Sequence, residues 1–296
     1  MHPEPKVTVI IPCYNRERYI EKTVESVLSQ TIQNIELIVV DDGCTDNSRQ
    51  ILEQYKDCIR ILEHPGRINK GQSAALNLGI VASRGEYVAF LDSDDLFAPE
   101  KIEKQVKFLE AHPEIGLVYA NGHTIDENGT ILHRIYGDNH HEESDPNRVL
   151  LDCYFLLPNN SLVRKDVLLK AGFFDESFRS AQDHDLAIRI AEITRIAYLD
   201  EPLFFYRRHK ESISRRNAML RWKNGFRILN KARLRYNYRV STLSGRLAVL
   251  NFRLGQCYRE EGQYFKAVMF FIAAGLCDPV RSMGVLTGRE KVSGPH

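Results

Sequence analysis

The chain passes from a strand into a helix within VTVIIPCYNRERYIEKTVESVLSQ, residues 7–30. Its first five residues are all β-branched, which favours a buried strand, and Pro12 ends that run. Apolar side chains then recur with helical spacing at Ile20, Val24, Val27 and Leu28. A strand that leads directly into an amphipathic helix is the first unit of an α/β fold.

The alternation of strands and helices continues along the N-terminal half. Strand patterns occupy residues 35–40, 59–62 and 87–91, and helical patterns occupy residues 46–55 and 71–82. Alternation at this pace predicts a mostly parallel sheet that is flanked by helices. In such sheets, ligands bind beyond the carboxyl ends of the strands.

Unusual polar residues follow three of the predicted strands. Pro12-Cys-Tyr-Asn comes after the first, Asp41 and Asp42 come after the second, and FLDSDDLFAPE (residues 90–100) places three acids after the fourth. Three neighbouring carboxylates repel one another and resist burial unless positive charge compensates them. A divalent cation that bridges phosphate oxygens is one such charge. The alternative is a turn that caps the helix predicted near Pro99 and Glu100.

The sequence lacks the loops that characterise two classes of nucleotide-binding protein. No G-x-G-x-x-G follows the first strand, and there is no P-loop. A nucleotidyltransferase would need a Gly-rich basic loop at the same point, so that class is disfavoured but stays open. Tyr14 offers a ring that can stack on a base, and a nearby carboxylate can read a base edge.

The composition is that of an ordinary globular protein, with 43% hydrophobic and 27% charged residues. Six cysteines occur without a C-x-x-C pair, which indicates reduced thiols rather than a structural zinc site or a disulfide framework. No stretch resembles a signal peptide or is long enough to cross a bilayer. We therefore expect a cytoplasmic protein.

Positive charge is concentrated between residues 207 and 253, which contain 14 Lys or Arg and one acid, Glu211. Such a segment suits an anionic partner, and we expect peripheral contact with the inner face of a membrane or with a phosphate-bearing acceptor rather than with nucleic acid. The alternative is a solvated helical face whose arginines pair with acids elsewhere in the fold.

Four segments, in chain order, resemble the family 2 glycosyltransferases with the GT-A fold: VTVIIPCYNRERYIEKTVESVLSQT, ELIVVDDGCTDNS, GQSAALNLGIVASRGEYVAFLDSDD and YRRHKESIS. The resemblance extends over about residues 6–214. It implies an inverting transferase that moves a sugar from a nucleotide-sugar, usually a UDP-sugar, to an acceptor hydroxyl. It also implies Mg²⁺ or Mn²⁺ as cofactor.

The resemblance assigns residues to the nucleotide side. It implies that Pro12 and Tyr14 line the nucleotide pocket and that Asp42 accepts a hydrogen bond from the uracil N–H. The other residues implied on this side are Lys70, Asn77, Asp92 and Ser93. The sequence departs from the family pattern at Leu76, where Arg is frequent, and at Cys44, where Ser is frequent.

The same resemblance implies residues that bind the metal ion and the diphosphate. Asp94 would be a direct ligand, Asp95 would orient the loop, and His209 would lie near the metal or the diphosphate. Arg207 and Arg208 would help to neutralise the leaving diphosphate.

An inverting displacement also needs a base on the acceptor side. The matching stretch is SAQDHDLAIRIAE, residues 180–192, in which Asp183 is the implied base and Gln182 replaces the usual acid. The alternatives are a capping role for Asp183 and a catalytic role for Asp185. The implied acceptor-side residues are Asn159, Asn160, Phe174 and Asp175.

The C-terminal part has a different pattern. We expect a catalytic domain over residues 1–216 and a helical extension over residues 217–296, with one hairpin at about residues 247–280 spaced like a tetratricopeptide repeat. The extension is either a plain packed hairpin or a surface for a partner or a second copy. We expect a function in cell-surface polysaccharide or glycan synthesis, with a catalytically degenerate nucleotide-sugar-binding scaffold as the alternative.

Overall fold

The computed structural model describes residues 4–141, 144–151, 158–209 and 218–286, with the backbone alone at residues 285 and 286. The chain divides into two compact units, Met1–Ser144 with Leu156–Glu211, and Asp145–Phe155 with Ser212–His296. The predicted domain boundary after residue 216 lies outside the described residues, as do residues 210–214 of the fourth motif and 287–296 of the C-terminal segment.

The first unit alternates strands and helices through its N-terminal half. The elements up to the fourth helix are β1 (Val7–Cys13), α1 (Ile20–Leu28), β2 (Ile35–Asp41), α2 (Ser48–Glu53), β3 (Arg60–Glu63), α3 (Gln72–Ala82), β4 (Tyr87–Phe90), β5 (Leu96–Phe97) and α4 (Lys101–Ala111). The rest are β6 (Ile115–Ile125), β7 (Ile131–Arg134), β8 (Ser161–Arg164), α6 (Lys165–Ala171), α7 (Gln182–Ala191) and β9 (Arg195–Arg207). A fifth helix, α5 (Pro146–Leu151), belongs to the second unit.

All of these strands join one sheet in the order β3-β2-β1-β4-β8-β6-β9-β5, with β7 paired to β6. Pairings among β1, β2, β3 and β4 are parallel, and so is that of β6 with β9. The pairings β4–β8, β6–β8, β5–β9 and β6–β7 are antiparallel. The predicted α/β class is confirmed, and the sheet is parallel in its first half and mixed beyond β4.

The strand order reverses direction at β1, which pairs with β2 on one side and β4 on the other. The last residue of β1, Cys13, lies opposite the last residue of β2, Asp41. The Leu91 N–H donates to the carbonyl of Ile10 (3.1 Å), so the chain after β4 leaves the sheet at the same edge. A crevice at such a switch point is the usual ligand site of an open α/β sheet.

A buried ion-pair cluster lies at the opposite end of these strands. Glu36 accepts hydrogen bonds from the Thr8 hydroxyl (2.8 Å), the Arg84 N–H (2.9 Å) and the Arg60 guanidinium (2.5 Å). Burial opposes ionisation of Glu36, but these hydrogen bonds outweigh it and lower the pKa of the carboxyl. The cluster joins β1, β2 and β3 to the loop that precedes β4.

The second unit is helical over the residues that the structure describes. Its helices are α5, α8 (Ala218–Arg235), α9 (Val240–Glu260), α10 (Tyr264–Cys277) and α11 (Pro279–Leu286). The α9 and α10 helices form a hairpin in which Gly255 lies against Phe271, so closely that an added Cβ would be 2.6 Å from the ring. Within the described ranges, no helix combines the length and apolar character needed to cross a bilayer.

Candidate active site

The three acids after β4 form a closed turn at the crevice. The Asp95 N–H donates to the Asp92 carbonyl (3.1 Å), and the Thr23 hydroxyl on α1 donates to the carbonyls of Ser93 (3.2 Å) and Asp95 (2.9 Å). The following helix, α4, has Glu100 as its N-cap and no side-chain cap. The alternative of a helix-capping turn therefore does not describe these acids.

Asp94 is held by two cationic or ionisable partners. Its Oδ2 accepts a hydrogen bond from Arg16 Nε (3.1 Å) and lies 2.9 Å from His209 Nε2. The Tyr19 ring packs on His209 with centroids 4.9 Å apart. Burial opposes ionisation of Asp94, but the His209 hydrogen bond and the Arg16 charge outweigh it and lower the pKa of Asp94.

Asp95 lies beneath this corner, fully buried. It accepts hydrogen bonds from the Arg207 N–H (2.7 Å) and from the Asn159 side-chain amide. Burial, together with the charges of Asp94 and Asp92, raises the pKa of Asp95 well above its ordinary range. Asp95 thus links the turn to β9 and to Asn159, a residue predicted on the acceptor side.

Asp92 faces the crevice and is held by amides alone. Its Oδ1 accepts from Gln72 Nε2 (2.7 Å), its Oδ2 accepts from Asn159 Nδ2 (3.3 Å), and its own N–H donates to Asn159 Oδ1 (2.7 Å). Burial and the charge of Asp94 raise the pKa of Asp92 to about 7. The three neighbouring acids are thus tolerated in different ways: charged partners stabilise the carboxylate of Asp94, whereas burial opposes ionisation of Asp92 and Asp95.

Asp94 and His209 offer two of the atom types that bind divalent cations, a carboxylate oxygen and an imidazole nitrogen. Asp94 Oδ2 and His209 Nε2 lie 2.9 Å apart, at hydrogen-bond distance. In the described part of the chain, no three His, Cys, Asp or Glu side chains are placed to share one ion. A cation held here would take its remaining ligands from water and from a phosphate group.

Asp42 anchors the loop before α3. Its two carboxylate oxygens accept the N–H groups of Lys70 and Gly71, each at 2.8 Å. Gly71 has φ +89°, which favours glycine, and an added Cβ would lie 1.9 Å from the Arg179 guanidinium. Each carboxylate oxygen of Asp42 retains a second lone pair that can accept from a ligand.

The other residues predicted on the nucleotide side differ in exposure. Tyr14 is 44% exposed after β1, whereas Pro12 and Ser93 are buried. Lys70 is exposed, and its carbonyl accepts from Arg179 Nη1 (2.6 Å). The exposed ring of Tyr14 is thus available for stacking.

Asn77 contacts the acceptor-side segment. Its Nδ2 donates to the Phe174 carbonyl (2.9 Å), and its Oδ1 accepts the Phe174 N–H (2.9 Å). The Ser73 hydroxyl donates to the Phe178 carbonyl (3.3 Å). The first turns of α3 therefore fix the segment that leads into α7.

Two glutamines connect the acidic turn to α7. Gln182 Nε2 donates to Gln72 Oε1 (2.8 Å), and Gln72 Nε2 donates to Asp92 Oδ1 (2.7 Å). Gln182 Oε1 is buried and has no hydrogen-bond partner in the described residues. Sequence reasoning missed Gln72 and Arg16; the available signal was their place at the crevice edge, with Arg16 between β1 and α1 and Gln72 as the first residue of α3.

Asp183 occupies the second position of α7. Its Oδ1 accepts the His184 N–H (2.9 Å), and its charge contributes to the raised pKa of Asp92. The N-cap is Ala181, with φ +64° and no side-chain cap hydrogen bond, which does not support the alternative of a capping role for Asp183. Asp185 is fully buried and paired with Arg189 (2.7 Å).

The remaining predicted residues have structural contacts. Arg207 is buried and donates to the carbonyls of Asp94 (2.9 Å), Asp126 (3.2 Å) and Glu127 (3.1 Å), so it holds the turn. Asn160 is fully buried, with its Nδ2 donating to the Tyr136 hydroxyl (2.9 Å).

Phe174 and Asp175, predicted on the acceptor side, and Arg208, predicted beside the diphosphate, each make local contacts. Phe174 packs edge-on against Phe90 (5.4 Å), and Asp175 Oδ1 accepts the Ser177 N–H (2.9 Å). The Arg208 N–H donates to the Ile125 carbonyl (2.9 Å).

The family model for Glycosyl transferase family 2 matches residues 8–172, more than half of the chain. The chain belongs to this family. The predicted family is thereby confirmed, and the matched span contains β1, β2 and β4 and the acidic turn.

Curated relatives share the same region. An uncharacterised glycosyltransferase of Rickettsia conorii is 36% identical over 200 residues, which are 68% of this chain and 32% of that protein. The chondroitin synthase of Escherichia coli is 26% identical over 228 residues, which are 77% of this chain and 32% of that protein. The chain thus spans about a third of the length of these relatives.

Solved structures share the fold. Staphylococcus aureus TarS 1–349 in complex with UDP-GlcNAc superposes with a TM-score of 0.67 at 20% identity, covering 91% of this chain and 81% of that one. The Pyrobaculum calidifontis mannosyltransferase PcManGT, in complex with GDP-Man and Mn²⁺, gives a TM-score of 0.65 at 18% identity, covering 97% and 80%. At these identities the likeness shows the GT-A fold alone.

Proposed function

We propose that this chain transfers a sugar from a nucleoside-diphosphate sugar, with UDP as the expected nucleotide, to an acceptor hydroxyl with inversion at the anomeric carbon. One observation carries the proposal. A chain of hydrogen bonds from Gln182 through Gln72 to Asp92 connects the first turn of α7, on which Asp183 lies, to the acidic turn, which holds the Asp94–His209 pair.

The nucleotide would lie over the carboxyl ends of β1 and β2. The exposed Tyr14 ring would stack on the base, and Asp42 would accept the uracil N–H through a free lone pair. Because both Asp42 oxygens already hold backbone N–H groups, the carboxylate cannot rotate away. This fixed position favours a nucleobase that presents a hydrogen-bond donor to the Asp42 carboxylate.

Asp94 and His209 would hold a divalent cation, Mn²⁺ or Mg²⁺, which would neutralise charge on the leaving diphosphate. Arg16 would keep Asp94 ionised and fix its rotamer through the 3.1 Å hydrogen bond. Arg207 would act indirectly, since its guanidinium is occupied by carbonyls of the acidic turn and of the chain after β6.

Asp183 would act as the general base. The acceptor oxygen forms a bond to the anomeric carbon while its proton passes to the Asp183 carboxylate. The bond from the anomeric carbon to the phosphate oxygen breaks, and the electron pair leaves with the diphosphate. Attack opposite the leaving group inverts the configuration, and such a base contributes about 10²–10⁴-fold in rate.

Gln72 and Gln182 would be positioning residues. Their amide chain sets the distance between Asp92 and the first turn of α7, on which Asp183 lies. The buried Gln182 Oε1 has unused acceptor capacity that a sugar hydroxyl could satisfy.

The acceptor is proposed to be a glycan or lipid-linked hydroxyl, in cell-surface polysaccharide synthesis. The similarity to a relative named chondroitin synthase supports a glycan product. The basic helices α8 and α9 support contact with an anionic membrane surface, because they contain most of the arginines of the 207–253 segment.

The test is a transfer assay with UDP- and GDP-sugars, Mn²⁺ or Mg²⁺, and a panel of glycan acceptors, read by release of the nucleoside diphosphate and by product mass. We expect release of UDP and an acceptor heavier by one sugar. Donor binding without turnover for every pair would support the scaffold alternative. Pyrophosphate release from UTP and a sugar phosphate would indicate a nucleotidyltransferase.

A further inference from the structure

The α10 helix is apolar on more than one side. Its sequence, YFKAVMFFIAAGLC, has one charged residue, Lys266, whose Nζ donates to Gln263 Oε1 (2.8 Å) and lies 5.4 Å from the Tyr258 ring. One side packs on α9, where Ala267 and Ala274 are buried. A helix that is apolar all round is normally covered on its other side as well.

Large apolar side chains are exposed along α10 and α11. We define the α10–α11 stripe as eight residues, each 54–85% exposed: Tyr264, Phe265, Val268, Met269, Ile272, Leu276, Val280 and Met283. Five of them recur at the i, i+3, i+4, i+7 and i+11 positions of one helix face. The stripe therefore has the pattern of a helix-packing surface.

We propose that the α10–α11 stripe docks onto the same stripe of a second copy of this chain. The eight residues offer on the order of 1,000 Å² of accessible surface, above the largest patch of a typical monomer and comparable to the ~800 Å² that each partner gives to a stable interface. An apolar stripe is complementary to itself, so a two-fold axis through it opposes no like charges. The net charge of +1 adds little repulsion between copies.

Charge distribution favours a second copy over a membrane as the occupant. A helix that lies on an anionic bilayer has Lys and Arg beside its apolar face. On α10 the one lysine points towards α9, and α11 contributes Arg281 alone. Exposed arginines flank an apolar residue on α8 instead, where Leu234 is 84% exposed between Arg233 and Arg235.

The experiment compares the full-length wild type with Leu276→Glu and Leu234→Glu by light scattering after gel filtration and by sedimentation velocity, over a hundredfold range of concentration. We expect a wild-type mass of twice 34.1 kDa. We expect Leu276→Glu to be monomeric with an unchanged circular dichroism spectrum, and Leu234→Glu to stay dimeric. Phe265→Glu is the second variant, in case Leu276→Glu does not fold.

Three results would overturn the proposal. The first is a monomeric wild type at every concentration, and the second is a dimer that persists in both stripe variants. The third is a monomer that binds vesicles of phosphatidylcholine and phosphatidylserine and loses that binding in Leu276→Glu but not in Leu234→Glu. That last result would assign the stripe to a lipid surface.

Discussion

The two ends of the crevice hold their carboxylates in opposite ways. Asp94 is bound by a guanidinium and an imidazole, and its neighbours Asp92 and Asp95 are bound by amide and backbone N–H groups. Among the residues that the structure describes, Asp183 accepts one hydrogen bond, from the His184 N–H at the start of α7. Within those residues, Asp94 is tightly constrained by the protein, whereas Asp183 has few protein contacts.

This difference matches the two proposed tasks. A group that holds a fixed charge needs a fixed position and a low pKa, which the contacts of Asp94 supply. A general base must exchange a proton with a substrate, and strong protein donors on its carboxylate would oppose that exchange. The number and charge of the hydrogen-bond donors around each acid therefore indicate its role more directly than the residue type does.

The largest expected effect comes from Asp183→Asn. Removing the base should lower kcat by about 10³-fold, while UDP affinity stays within about twofold of wild type, because the nucleotide contacts lie at the other end of the crevice. Kinetics and calorimetry on the same preparation provide the measurement, with Glu192→Gln, at the far end of α7, as the matched control. Turnover within about tenfold of wild type would remove Asp183 as the base.

A smaller effect is expected from Gln72→Leu, which breaks both hydrogen bonds of the glutamine bridge. A shift of Asp183 relative to Asp92 should lower kcat by about 10–100-fold with little change in KM for the donor. Gln182→Leu leaves the Gln72–Asp92 bond intact and should cost less. An equal loss from Gln50→Leu, the same change on the exposed side of α2, would argue against a positioning role.

The smallest effect on catalysis is expected from Glu36→Gln, which alters the buried cluster at the opposite end of the strands. Loss of its charged hydrogen bonds should cost about 2 kcal/mol in the free energy of unfolding at neutral pH and leave kcat unchanged. Because the folded pKa of Glu36 is lowered, the unfolded chain takes up the proton first as pH falls. The difference in the free energy of unfolding between the wild type and Glu36→Gln should therefore reach its full value above the ordinary glutamate pKa. It should fall to zero as pH falls through the folded pKa of Glu36.

Urea denaturation at several pH values measures this difference. Glu86→Gln is the matched control, since the exposed Glu86–Lys6 pair should contribute no more than about 1 kcal/mol. An equal loss from both variants, or a loss that does not depend on pH, would contradict the account of Glu36.

Local pattern predicted the first half of the fold well. The β-branched run at residues 7–11 became β1, and the helical spacing of residues 18–30 became α1, because one face of the central strands and one face of the helix enter the same core. The α7 helix ends at Ala191, and Ile193, which keeps the apolar spacing of that helix, is exposed. The chain turns into β9 directly after α7. Ile193 therefore keeps the apolar spacing of the helix although it lies beyond the last helical residue.

The local sequence pattern could not predict contacts between residues that are far apart in the sequence. The β8 strand lies between β4 and β6 by antiparallel pairing, although about 70 residues separate it from β4 in sequence, and nothing in its four residues specifies that place. The Gln72–Gln182 bond joins residues 110 positions apart. The sequence motifs located Asp94 and Asp183 at the crevice, but the partners that distinguish them come from the tertiary fold.

The central claim is that the Asp94 corner is a site for a cation and a diphosphate. The most direct test is calorimetric titration of UDP with and without Mn²⁺, on the wild type, on Asp94→Asn and on the exposed control Asp138→Asn. We expect Mn²⁺ to raise UDP affinity at least about tenfold in the wild type and in Asp138→Asn, and to have no effect in Asp94→Asn. Equal UDP affinity with and without Mn²⁺ in the wild type would contradict the claim.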